Sequence, residues 1–359
     1  MLSRTFDGIA KTVIGIALLF LLSAVCSGEA LCQNPPPPDS DSKGLHGGIE
    51  IALRAVRAVA LRVSTDTEGD NTPRIQGSDQ IIPSTPFPRD EKLTPEYISD
   101  LAKAVQTLSE KLQRDYRVPR NQIYLLGLSE IMSQDRDELS KEVREKIGKE
   151  ITFLDAKGEI ELNIAGNIPR RYQFEGKWYD NRSISLLLDI SATNIKGGYQ
   201  QLSLARGGRA QYDYVTWDIP LKSQLRAEAA QNPGLMTRRK IYLMGDIAGA
   251  LAALLYPADQ QPYLPISMGD INNFYYRAMT DPEALLNPDL SKIRDEKARN
   301  EARKWREAVK AVYTPKTLAA GAEALKTAVI ELNLIDKRLI IARNSDLARL
   351  LSFVRLQIE

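Results

Sequence analysis

A strand-rich hairpin followed by alternating helices and strands occurs twice in this sequence, the second time about half a chain after the first. From residue 47, GGIEIALRAVRAVALRV supplies two β-rich runs with only a few residues between them, which predicts the first hairpin. Residues 64–90, rich in Thr, Ser, Asp, Gly and Pro, are expected to form a long loop. Thr94-Pro95 has the form of an N-cap with proline at the first helical position, and Ile98, Leu101, Val105, Leu108 and Leu112 then repeat at helical spacing. A strand over 122–128, a helix with Leu139, Val143 and Ile147 on one face, and a strand over 151–154 complete the first copy.

The second copy opens on an apolar strand, residues 184–190, and a Thr193-Asn194 turn leads to two further strands over 196–204 and 211–219. A helix over 221–230, a strand over 241–244 and a small-residue helix over 247–255 follow. Residues 289–313 read as a solvated, charge-laden helix, and the tail as helix 318–332, strand 338–341 and helix 345–354. Such a repeat predicts an α/β chain of two similar lobes, residues 47–182 and 183–359, with a cleft between them.

Composition limits the chemistry of that cleft. The 359 residues contain one histidine, His46, and two cysteines, Cys26 and Cys32, all close to the N-terminus. No set remains for a Cys/His zinc site, a Ser-His-Asp triad or a Cys-His dyad. A metal would have to be a hard cation held by oxygen, and a general base would be a carboxylate. Lys plus Arg total 48 against 46 Asp plus Glu, so there is no basic field of the kind that holds nucleic acid.

Arg4 and Lys11 precede the apolar run VIGIALLFLLSAV, which is shorter than the ~20 residues of a spanning helix. It reads as a signal peptide over residues 1–30, cleaved after Ala30, with an uncleaved membrane anchor as the alternative. Residues 31–46, with Pro35 to Pro38, form an extended spacer. The body of the protein is therefore expected in the periplasm or at the cell surface.

Four segments carry a resemblance. GIEIALRAVRAVALRV resembles the first phosphate-binding hairpin, and LLLDISATNIKGGYQ the second, of the exopolyphosphatase and guanosine pentaphosphate phosphohydrolase (Ppx/GppA) family. IYLMGDIAGALAALLYP resembles the strand-Gly-helix that closes the cleft in the wider actin-like superfamily, and ITFLDAKGEIELNIAGNIP stands where the family has its catalytic glutamate. The resemblance implies two duplicated actin-like (ribonuclease H-like) lobes, with mixed sheets flanked by helices. It implies Mg²⁺-dependent hydrolysis of the terminal phosphoanhydride bond of polyphosphate or a guanosine polyphosphate. On this register Glu159 is the catalytic base, Asp189 a catalytic and metal-binding acid, and Glu50 the second metal ligand. Arg54, Thr193, Asn194, Lys196 and Gly245 are the phosphate contacts. Beyond the phosphate substrate, a homodimer is compatible with this family, and membrane contact is expected only through an uncleaved N-terminus.

The segments also depart from the family pattern. Glu50 replaces the first aspartate, Ala52 the glycine, and Leu53 and Ala55 the small hydroxyl residues. A side chain at the closest approach of backbone to phosphate obstructs that contact. In the second hairpin Ser191-Ala192-Thr193 replaces three glycines, and Asp246 follows Gly245. The alternative function is therefore a catalytically reduced relative, serving as a ligand-binding or scaffold module of the cell envelope. An ATP-dependent sugar kinase, suggested by the Asn-Ile-Lys-Gly-Gly run, ranks below both, because exported proteins meet little ATP.

Overall fold

The computed structural model describes residues 44–63, 73–85, 92–169, 171–174, 177–190, 194–204, 210–220, 225–231 and 233–358. The expected signal segment and most of the spacer lie outside them. In chain order, the first half contains β1 (Leu45–Ile51), β2 (Val56–Val63), β3 (Pro73–Ile81), α1 (Pro95–Tyr116), β4 (Ile123–Gly127), α2 (Ser133–Ile147), β5 (Ile151–Phe153) and α3 (Ala156–Asn167). A small hairpin, β6 (Arg171–Phe174) and β7 (Lys177–Asp180), leads to the second half. That half begins with β8 (Ser185–Ile190), β9 (Asn194–Leu204), β10 (Ala210–Pro220), α4 (Leu225–Gln231), α5 (Pro233–Thr237), β11 (Lys240–Met244) and α6 (Asp246–Leu255). It ends with β12 (Tyr263–Ile266), α7 (Met268–Thr280), α8 (Pro282–Leu286), α9 (Glu296–Val312), α10 (Pro315–Glu331), β13 (Arg338–Ala342) and α11 (Ser345–Ile358).

The two sheets have the same wiring. The first runs β3-β2-β1-β4-β5, and the second β10-β9-β8-β11-β13 with β12 added at the end. In each, three antiparallel strands continue into parallel partners. Parallel strands at a sheet centre are covered on both faces, which explains the unbroken apolar runs LLL of β8 and IYLM of β11. One expectation is corrected here: part of the loop expected over 64–90 is a strand, β3, paired antiparallel with β2. Its sequence PRIQGSDQI lacks apolar alternation because β3 is an edge strand with little to bury.

Outer helices cover each sheet as the periodicity predicts. Thr94 caps α1 by accepting from the Tyr97 amide at 3.2 Å, and α1 and α2 bury Leu101, Val105, Leu108, Leu139 and Val143 against the first sheet. Around the second sheet, α6, α7 and α10 enclose the largest core cluster, with Leu251, Phe274 and Leu325 at its centre.

The inner faces are covered by exchange. Helix α3, from the first half, packs Ile160, Ile164 and Ile168 on Leu187, Tyr242 and Met244 of the second sheet. Helix α11, the last of the chain, returns to the first sheet and packs Leu350, Phe353 and Val354 on Val59, Leu61 and Leu126. The final helix thus completes the lobe built by residues at the opposite end of the sequence. The two helices lie against one another, with Gly166 of α3 so close to the Ala348 carbonyl that a β-carbon there would collide with backbone.

Candidate functional site

Between the sheets, at the C-terminal ends of β1, β4, β8 and β11, charged side chains converge. Each is placed by a local feature of the sequence. Asp155 caps α3 by accepting from the Gly158 amide at 2.7 Å, which starts the helix and sets Glu159 in its first turn. The segment containing Glu159 is therefore helical, and Glu159, Asn163 and Asn167 recur every fourth residue as a polar seam facing α11. Asn167 Nδ2 donates to the Ser345 carbonyl at 3.1 Å. Glu50 lies on β1 directly across the ladder from Arg57 on β2, and Asp189 on β8 across from Lys196 on β9.

Arg349 of α11 is the hub. Its Nε and Nη2 donate to the two carboxylate oxygens of Glu50 at 2.8 and 2.9 Å, a two-pronged pair. Its Nη1 reaches Glu159 Oε1 at 3.5 Å and Asn163 Oδ1 at 3.4 Å, and its Nη2 reaches Asp346 Oδ1 at 3.2 Å. Arg57 closes the circuit, 3.2 Å from Glu50 Oε1 and 3.1 Å from Asp346 Oδ2. From the second sheet, Lys196 Nζ donates to Glu159 Oε2 at 3.3 Å and to Ser129 Oγ at 2.9 Å, while the Ser129 hydroxyl also donates to Glu159. Glu50, Glu159 and Arg349 are buried.

The electrostatics divide the carboxylates into two groups. Burial works against the charge of Glu159, but Arg349 and Lys196 outweigh it and hold its pKa below the usual range. Asp346 is likewise held low against burial by Arg57 and Arg349. Asp189, by contrast, is pushed up to about 7 by burial and then by the neighbouring charge of Glu159. Glu130 and Asp246, whose residues are exposed at the cleft edge, are also raised: the protein around each carboxylate displaces part of its water, and Glu159 adds repulsion at the first and Asp346 at the second. Lys196 is raised despite burial by Glu159 and Asp189, so it stays charged. The close Ser129 and Lys196 pair is therefore no Ser-Lys nucleophile, since that chemistry needs a neutral lysine.

Glu50, Glu159, Asp189 and Lys196 thus meet in one place. Gly245 is beside them: it caps α6 at φ 91°, a left-handed conformation, and a β-carbon there would strike the Asp189 carboxylate. Arg54 sits in the first hairpin turn, near enough to Asp246 for its charge to offset part of the rise in that group's pKa. Asn194 is engaged elsewhere, its Nδ2 donating to Asp218 Oδ1 at 2.6 Å, and Thr193 lies outside the described residues.

Sequence reasoning missed Arg349, Ser129, Glu130, Asp346 and Arg57, the last on the inner strand β2. Only Arg349 carried a local signal. It shares a helical stripe with Leu350, Phe353 and Val354, and an arginine on an apolar stripe needs a buried acid.

Glu50 does not fit the role of free metal ligand expected of it: both its oxygens accept from guanidinium groups, so a cation there would compete with Arg349 and Arg57. Among the described residues, no three Asp, Glu, His or Cys side chains gather as a metal-binding group.

Duplicated sheets of this order, flanked by helices around a charged cleft, define a protein of the actin-like ATPase fold. Within that class the chain has the fold of the Ppx/GppA phosphatases. The Ppx/GppA family member of Aquifex aeolicus shares 13% identity at a TM-score of 0.53, the match covering 88% of this chain and 99% of the other. An exopolyphosphatase from Cytophaga hutchinsonii shares 12% at 0.53, covering 87% and 98%, and an exopolyphosphatase-like protein shares 11% at 0.55, covering 87% and 99%. No protein-family model and no curated protein matches the sequence.

Proposed function

We propose that this protein is a catalytically reduced relative of the exopolyphosphatases, a binding or scaffold module of the cell envelope that keeps the two-lobed cleft without its hydrolytic chemistry. The observation that carries this reading is the pairing of Glu159. A general base must accept a proton from water, and Glu159 instead has its oxygens committed to Arg349, Lys196 and Ser129, with a depressed pKa that weakens it as a base. Glu50 is committed in the same way. The expected result is that the full chain releases no phosphate above background from polyphosphate or guanosine pentaphosphate, with or without Mg²⁺ or Mn²⁺, and that Glu159→Gln leaves this unchanged. Metal-dependent release that Glu159→Gln abolishes would overturn the reading.

A second reading keeps the enzyme. Asp189 titrates near neutral pH beside Glu159 and Lys196, as a proton-transferring group does. On that reading Mg²⁺-dependent hydrolysis appears in the same assay and is lost in Asp189→Asn.

We place the protein outside the cytoplasm, on the strength of Arg4, Lys11 and the apolar run that follows them. N-terminal sequencing of the native protein is expected to start at Leu31. An intact Met1 in a soluble cytosolic fraction would sink the proposal.

A further inference from the structure

Glu130 points to a device that the resemblance does not contain. The first hairpin turn is closed by the Ala52 amide donating to the Ala55 carbonyl at 3.0 Å, and the Tyr97 hydroxyl donates to the Leu53 carbonyl. The Leu53 amide is left over from this pattern and faces the cleft, where it donates to Glu130 Oε1 at 2.6 Å. Glu130 belongs to the short turn after β4, which is itself pinned: the Leu128 amide donates to Ile51 at 3.1 Å, and the Ile131 amide to Leu128 at 3.2 Å.

Glu130 is exposed at the edge of the cleft; Glu159 and Asp246 disfavour its charge, Lys196 only partly offsets them, and the Leu53 amide is its one hydrogen-bond donor among the described residues. A carboxylate is an oxyanion, and a backbone amide at a tight turn receives a carboxylate oxygen and a phosphate oxygen alike. We propose that Glu130 is an autoinhibitory plug: its carboxylate fills the seat at the first hairpin turn that a small tetrahedral oxyanion would otherwise take. The proposal rests on the reading above, in which this turn faces a cleft that does not hydrolyse phosphate.

Calorimetric titration of the full chain with inorganic phosphate and with pyrophosphate tests it. Glu130→Ala is expected to bind at least tenfold more tightly than the unaltered protein. Glu130→Gln should fall between them, because its amide oxygen still accepts from Leu53 while its charge is gone. Equal affinities in all three proteins, with cooperative melting preserved, would overturn the plug. So would tight binding by the unaltered chain. Should Glu130→Ala fail to fold, Glu130→Gln alone decides by the same comparison. Failure of the underlying reading looks different: polyphosphate turnover by the unaltered chain would overturn the reduced-enzyme proposal whatever the titrations show.

Discussion

Arg349→Met is expected to cost about 3–5 kcal/mol of folding stability, the scale for breaking a buried ion pair by removing one partner. The methionine fills much of the arginine volume, so the loss measures charge more than packing. It leaves Glu50, 0% exposed, with Arg57 as its remaining cation, and Glu159 with Lys196 and the Ser129 hydroxyl. Urea unfolding gives the value directly, and a shift in midpoint at constant slope assigns it to stability. The double variant Glu50→Gln with Arg349→Met should lose less than the two single changes together, because the charge orphaned by one is removed by the other. A loss below about 1 kcal/mol in Arg349→Met would mean that the network only decorates helix packing that holds without it.

Asp189→Asn is expected to stabilise the protein at alkaline pH. In the unfolded chain an aspartate titrates near 3.9, whereas in the folded protein Asp189 is pushed up to about 7, so the folded state holds the extra proton between those values. Stability from this group therefore falls as pH rises from about 4 to about 7, and above that the buried charge is a standing cost. Asparagine removes the charge and keeps the shape, with an expected gain of about 2–4 kcal/mol at pH 8 and about a third of that at pH 5. Glu159 and Asp346, both held low, act in the opposite sense: their contribution is complete above the ordinary carboxylate range and is lost on acidification. Comparing Asp189→Asn with the unaltered protein at both pH values cancels that common background. An equal difference at pH 5 and pH 8 would show that Asp189 is an ordinary acid.

Local pattern made much of the fold legible. The hairpin of β1 and β2, the capped helix α1 and the apolar strands β8 and β11 are set by spacing and by turn residues that act within a few positions. Strand β3 escaped because an edge strand with one covered side needs no apolar alternation. In the site, Glu50, Glu159, Asp189 and Lys196 were found through segments adjoining strand ends. Their partners were not, since Arg349 is 299 positions from Glu50, and no local rule connects residues so far apart. The phosphate cradle expected at the first hairpin was legible as damaged from Ala52 and Leu53. That a carboxylate from another loop stands in it was not.

The exchange of α3 and α11 has a consequence for how the molecule comes into being. As the chain folds, the first sheet can assemble with α1 and α2 on one side, but α11 does not cover Val59, Leu61 and Leu126 on the other side until residues 345–358 have docked. The contacts that finish this lobe span nearly the whole sequence, and closing so large a loop is slow compared with the local steps before it. Until then the folding chain presents an apolar sheet face, which is what holding chaperones recognise. Residues 345–358 then act as the closing step of a cooperative fold, so a chain lacking them would miss both the cover of its first lobe and the arginine that neutralises its cleft.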